Sequence, residues 1–177
     1  MATIRYGFLF IDDNVDYHQT LTSFARDLGA SLRCFEFGDE GLKELKSNPE
    51  RYHGVILDFN CIYKKGQKAS EGFLANILED LNGFNKLFPK VVLSGFPEAS
   101  EQKRFMTNIK FFDKSNTAKE CIKELIKQAK RNSLDIIKDE HSQVFAIFEK
   151  GYLEYSSEVR LIDIIKSAQK AKAVDII

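Results

Sequence analysis

The chain has no Trp, only 3 Pro and only 3 Cys in 177 residues, and no excess of either charge, with 26 Lys plus Arg against 26 Asp plus Glu. Each shortage excludes something. Three cysteines scattered at Cys34, Cys61 and Cys121 make neither a disulfide framework nor a metal-type spacing, which fits a reducing cytoplasm. A balanced charge builds no broad positive field for nucleic acid or an anionic membrane. Long apolar runs are missing, and Met1 to Phe10 lacks the basic segment and apolar stretch of a signal peptide, so neither a membrane span nor a leader is expected. What is present is 44% hydrophobic and 29% charged residues, with 15 Phe. That is the composition of a folded chain with a real core, and the length suits one domain plus at most a small appendage.

Short apolar runs alternate with amphipathic stretches. Tyr6–Ile11 reads as a strand buried on both faces. Val15–Leu28 reads as a helix stopped at Gly29, a residue suited to a left-handed C-cap. Leu32–Phe37 is a strand, and Asp39–Lys46 a short helix ended by Asn48-Pro49. Further strands are expected at Gly54–Phe59, Lys90–Phe96 and Ile109–Lys114, with helices at Glu71–Leu87 and Ser100–Asn108. Thr117 and Glu120 read as a capping box for a helix bearing Ile122, Leu125, Ile126 and Ala129. Five strand-then-helix units imply an α/β fold, a doubly wound parallel sheet covered on both faces. Residues 1–132 form this domain. Residues 133–177 form a helical C-terminal extension, with helices expected around 134–148 and 158–173, and the Thr117 helix free to run past Asn132.

In a sheet of this kind ligands bind beyond the C-terminal ends of the strands. Strand one ends in Asp12-Asp13, strand three in Asp58, strand four in Ser94 and strand five in Lys114. Three carboxylates on one edge raise one another's pKa unless a cation neutralises them. Oxygen ligands on an open loop edge suit Mg2+, which takes one or two carboxylates and keeps several waters. A carboxylate is also a nucleophile toward a phosphoryl group, whose oxygens then need Mg2+, an ammonium and a hydroxyl.

The runs FLFIDDN, GVILDFN, VVLSG and FFDKS, in this order and spacing, resemble the receiver domain of bacterial two-component response regulators over roughly Ile4 to Arg131. The resemblance implies a flavodoxin-like fold with strand order 2-1-3-4-5. It implies that Asp58 accepts a phosphoryl group from a histidine kinase or phosphotransfer protein. It places Mg2+ on Asp13, on Asp12 through water, on Asp58 and on the backbone carbonyl of Asn60, and sets Ser94 and Lys114 against the phosphoryl oxygens. Phe111 falls where the family carries its switching aromatic, although core packing in a buried strand is the preferred reading, since an apolar residue there needs no other reason. Two departures stand out. Ser115 occupies the place of a Pro that the family commonly holds in a cis bond, so Lys114 is expected to be less tightly placed. Cys61–Ser70 makes a longer loop than usual, with Lys64, Lys65 and Lys68, overhanging the acceptor edge.

Taken singly these residues have plainer readings: Asp12-Asp13 as a helix cap, Ser94 as a turn residue, Lys114 as a solvent-facing side chain. The combination carries the argument. His18, His53 and His141 show no pairing and read as surface or loop positions, and the cysteines as small buried hydrophobes. The tail carries 6 basic and 8 acidic residues and no basic recognition helix, which disfavours DNA. Its apolar sets at Ile136, Ile137, Val144, Ile147 and Phe148 and at Leu161, Ile162, Ile164 and Ile165 call for cover, from the receiver, a second copy in a homodimer, or an unknown downstream protein. The expectation is a cytoplasmic phosphoacceptor rather than an enzyme, with output by protein contact. One rival is a receiver-like scaffold regulated without phosphate. Another is a small Mg2+-dependent aspartyl phosphohydrolase, whose Asp-x-Asp run Asp12-Asp13-Asn14 does not supply.

Overall fold

A computed structural model describes residues 5–70, 72–95, 108–149, 157–158, 160–165 and 167. The strands are β1 (Tyr6–Ile11), β2 (Ala30–Phe35), β3 (Val55–Leu57), β4 (Lys90–Ser94) and β5 (Lys110–Asp113), and the helices are α1 (Val15–Asp27), α2 (Gly38–Ser47), α3 (Gly72–Asn85), α4 (Ala118–Glu140) and α5 (Ser142–Glu149). All strand pairs are parallel, in the order β2-β1-β3-β4-β5. The doubly wound five-stranded sheet is as expected. The helix expected at Ser100–Asn108 and the end of the fourth strand at Phe96 lie outside the described residues.

The two faces of the sheet follow from the strand period of two. Leu9, Ile11, Val55, Leu57 and Val92 point to one side and pack on Leu42 and Leu45 of α2 and Phe73, Leu74 and Ile77 of α3. Phe8, Phe10, Ile56, Val91 and Leu93 point to the other, against Leu21 and Ala25 of α1 and Cys121, Ile122 and Leu125 of α4. Both faces being apolar is why these strands read as continuous hydrophobic runs. Helix α1 ends on Gly29, whose φ of +75° is the left-handed conformation its sequence position implied. Gly41 lets α2 approach the sheet, since a Cβ there would lie 2.6 Å from Ile11 Cδ1.

Several local expectations change, beginning with the second strand, which spans Ala30–Phe35 rather than Leu32–Phe37. Strand β3 is three residues long rather than six, because the chain leaves the ladder at Asp58. The Thr117 hydroxyl is engaged backward, accepting from the Asp113 N–H at 2.7 Å and donating to the Asp113 carbonyl at 3.2 Å, in place of a capping box with Glu120.

The chain divides into two compact units, Met1–Ala129 and Lys130–Ile177. Helix α4 runs on past Asn132 to Glu140. Within the second unit Ile137 and Phe145 are buried, Lys138 pairs with Glu158 at 2.6 Å and its ammonium lies over the Phe145 ring. No described helix is long and apolar enough to cross a membrane.

Candidate phosphoryl and metal site

Register alone assembles the acidic edge. Ile11 pairs with Leu57, so the next residue on each strand, Asp12 and Asp58, leaves the sheet side by side. The Asp58 N–H donates to the Ile11 carbonyl at 2.9 Å, and the Asp12 N–H to the Phe35 carbonyl at 3.0 Å. Ser94 pairs with Asp113, and the Lys114 N–H donates to the Ser94 carbonyl at 3.0 Å. The candidate residues from four strands therefore meet at one end of the sheet. Among the described residues the only buried polar or charged side chains are Asp12, Asp58 and Ser94. Burying such groups is costly unless they are paired, and here the burial is confined to this edge.

The Asp12 side chain is oriented by its own turn, with Oδ1 accepting from the Asn14 N–H at 2.9 Å. That leaves Oδ2 facing the Lys114 ammonium at 2.7 Å, while Asp58 Oδ1 lies 3.1 Å from the same nitrogen. Lys114 thus bridges the two acids. One ligand oxygen from each of Asp12, Asp13 and Asp58 falls within 4.8 Å of the others, so three carboxylates face one ammonium and the cluster is left doubly negative when all are ionised.

The titration behaviour follows. Burial, then the Asp12 charge, push the Asp58 carboxyl up to about 6, against the pull of Lys114. Asp13 is raised by the same two causes. Burial alone would lower the Lys114 pKa, but Asp58 and Asp12 outweigh it and hold the ammonium above its ordinary value. A divalent cation would relieve this imbalance. The donor set is all oxygen, and two residues after Asp58 the Asn60 side-chain oxygen is buried without a hydrogen-bond partner, so the residues present fit a hard cation such as Mg2+.

The turn after β5 is built without the cis bond that a proline would bring. The Lys114–Ser115 peptide is trans, and Asp113 closes the turn instead of proline. Its Oδ1 accepts from the Ser115 N–H at 2.7 Å, the Asn116 N–H at 3.1 Å and the Ser115 hydroxyl. The bonds from Ser115 hold the Asp113 carboxyl below its ordinary range. The turn that follows Lys114 is therefore fixed by the Asp113 carboxylate.

The long loop is also rooted. Ile62 pairs with Phe37 and Cys61 with Ser70, and the Ile62 and Tyr63 carbonyls accept the Gly38 and Asp39 N–H groups at the start of α2, which has no side-chain cap. The Tyr63 hydroxyl donates to Asp80 on α3. Lys64, Lys65 and Lys68 are exposed. Phe111 is half-buried and packs on the core. Two α1 residues escaped the sequence reading. His18 Nε2 lies 2.6 Å from the Asp12 carbonyl, and the Tyr17 hydroxyl donates to the Lys114 carbonyl at 2.9 Å. A helix-surface reading could not find them, because a main-chain acceptor leaves no mark in sequence. The available signal was their place in the first turn after Asp12-Asp13.

No protein-family model and no curated protein matches the chain. Solved structures do. A response regulator receiver domain protein from Clostridium thermocellum is 18% identical, with a TM-score of 0.60 over 73% of this chain and 98% of that one. The Francisella response regulator 1452 receiver domain is 18% identical, with a TM-score of 0.57 over 72% and 99%. The signal receiver domain of an HD domain-containing protein from Pseudomonas fluorescens Pf-5 is 16% identical, with a TM-score of 0.60 over 78% and 96%. At such identities the likeness is one of architecture, and together with the 2-1-3-4-5 sheet it establishes that this chain is built on the fold of response regulator receiver domains.

Proposed function

We propose that the protein is a Mg2+-dependent phosphoacceptor, taking a phosphoryl group on Asp58 from a histidine kinase or phosphotransfer protein and signalling by protein contact. The observation that carries this reading is the meeting of Asp12, Asp13, Asp58 and Lys114 at the C-terminal edge of a receiver-type sheet. An Asp58 oxygen forms the new P–O bond as the P–N bond of phosphohistidine breaks, the bonding pair returning to the imidazole nitrogen. Lys114 and the Ser94 hydroxyl take the phosphoryl oxygens, in a site that is largely water-excluded and so strengthens such contacts. Asp13, Asp12, Asp58 and the Asn60 carbonyl would hold Mg2+, which when bound supplies charge neutralisation for the phosphoryl oxygens. The product is a modified protein and not a released product, which separates this role from phosphohydrolase turnover.

Residues 1–132 act in this reading as the receiver and 133–177 as the output element, through a downstream protein or a homodimer. The unpaired cysteines fit a cytoplasmic setting. Incubation with Mg2+ and acetyl phosphate is expected to add one base-labile phosphoryl group by intact mass, and Asp58→Asn to abolish it. Equal modification of Asp58→Asn overturns the acceptor assignment, and catalytic release of phosphate from esters would favour the hydrolase.

A further inference from the structure

Lys114 is held from a direction that the acidic cluster does not explain. Tyr17, in the first turn of α1, donates its hydroxyl to the Lys114 main-chain carbonyl at 2.9 Å. Its ring also lies under the ammonium of the same residue, with Nζ 5.4 Å from the centroid. One side chain from another element thus contacts Lys114 at both ends. The ring is braced in turn by Phe10 of β1, edge-on at 6.3 Å. Burial pushes the Tyr17 phenol up to about 12, so it remains a neutral donor through the physiological range.

These contacts differ from the ion pairs in what they depend on. Asp12 and Asp58 attract the ammonium only while their charges face it, and a divalent cation or a phosphoryl group on the same carboxylates would compete for those charges. A long Lys stem losing such partners regains its rotamer freedom. The carbonyl tether and the cation–π contact are indifferent to that competition. Asp113 contributes from the other side by closing the turn that follows Lys114.

We propose that Tyr17 is a positioning residue for Lys114, keeping its ammonium at the acidic edge when the carboxylates are otherwise engaged, with Asp113 fixing the turn in place of the absent proline. The consequence for phosphoryl uptake rests on the phosphoacceptor reading, whereas the positioning itself does not. The test uses the full chain with Tyr17→Phe, which keeps the ring, Tyr17→Leu, which keeps neither contact, and Asp113→Asn beside Asp113→Ala, since Asn retains the acceptor. Order of the Lys114 ammonium is read by 1H–15N NMR with and without Mg2+, alongside the rate of uptake from acetyl phosphate. Tyr17→Phe is expected to slow uptake roughly five-fold and Tyr17→Leu roughly ten-fold or more. The ammonium signal should persist with Mg2+ in wild type and Tyr17→Phe and broaden in Tyr17→Leu. Asp113→Asn should behave as wild type and Asp113→Ala should slow uptake. If Tyr17→Leu keeps an ordered ammonium and the wild-type rate, the proposal is wrong. If Tyr17→Leu does not fold, an unchanged rate in Tyr17→Phe overturns the tether. A wild-type chain that takes no phosphate, but whose ammonium still loses order in Tyr17→Leu, sinks the phosphoacceptor reading and leaves the positioning intact.

Discussion

The two units break the ordinary rule of burial in opposite directions. In Met1–Ala129 the anomalies are polar groups inside: Asp12, Asp58 and Ser94 are 0%, 2% and 4% exposed. Among the described residues of Lys130–Ile177 they are apolar groups outside, with Val144 and Ile147 on one helix 43% and 41% exposed and Ile164 64% exposed. The first unit has exposed apolar residues too, Val15 at the start of α1 and Phe84 and Leu87 where α3 ends, but Leu87 lies beyond the helix and no two of them share one helix. Val144 and Ile147 are three apart and share a helix face. A buried charge is tolerated for chemistry, and a shared exposed apolar face for contact. On the proposed reading the two units would carry different tasks, chemistry in the first and contact in the second, and each can be tested where its anomaly lies.

The largest contrast is in packing. Phe8 is fully buried between strand and helix layers, so Phe8→Ala should cost about 3 to 5 kcal/mol in urea unfolding. Ile164→Ala should stay within about 0.5 kcal/mol. Comparable losses at both positions would mean that Ile164 is covered in solution, and the comparison would need redrawing.

Next in size is the cost of the buried charge. The Asp58 carboxyl rises from 3.8 to about 6 on folding. A carboxyl raised by folding favours the folded state while protonated, so its stabilisation is full below about pH 4 and is lost as pH rises through about 6. With a chelator present, wild type should lose about 3 kcal/mol relative to Asp58→Asn between pH 4 and pH 7.5. Using the difference between the two proteins removes the titrations they share. A flat difference across this range would show that Lys114 fully compensates Asp58.

Much of this was readable beforehand, and the reasons for the exceptions are physical. Strand β1 and the end of α1 fall where the residues place them, because Phe8 to Ile11 serve two apolar faces and Gly29 takes the positive φ that stops the helix. The acidic edge followed from strand ends alone, since parallel strands share one end. The exceptions involve the main chain. Ser115 looked like a loss because a missing proline is visible in sequence, whereas the turn that Asp113 builds depends on which N–H groups are free. Thr117 turned backward because the Asp113 main-chain N–H and carbonyl engage its hydroxyl. The loop after Asp58 read only as long and Lys-rich, and composition could not show that Ile62 and Tyr63 lend their carbonyls to α2, a pairing between segments far apart in the chain.

A smaller effect separates the two neighbouring acids. Mg2+ should stabilise the chain by about 2 to 3 kcal/mol at a hundred-fold excess over its dissociation constant. By calorimetry Asp13→Asn should weaken binding more than Asp12→Asn, because Asp12 is the residue assigned through water. Binding by both should fade as pH falls toward the raised carboxyl range, since the ligands must lose protons. Equal losses in the two variants would put both carboxylates on the ion directly.

The smallest expected change in stability tests the division itself. A chain ending at Asn132 keeps every residue of the two sheet-flanking clusters, so its unfolding free energy should lie within about 1 kcal/mol of the full chain, and it should still take one phosphoryl group. What it lacks is the exposed apolar set of the second unit, a surface that favours association when left in water. Any mass above the monomer that light scattering finds for the full chain should therefore disappear on truncation, and Val144→Ser with Ile147→Ser should lower it without shortening the chain. Phosphorylation ought to shift that association if the tail is the output element, because α4 leads from the first unit into the second. An assembly unchanged by truncation would place the contact on the receiver unit. Aggregation or loss of phosphoryl uptake on truncation would make residues 133–177 part of the receiver's own fold, and the two anomalies would then belong to a single task.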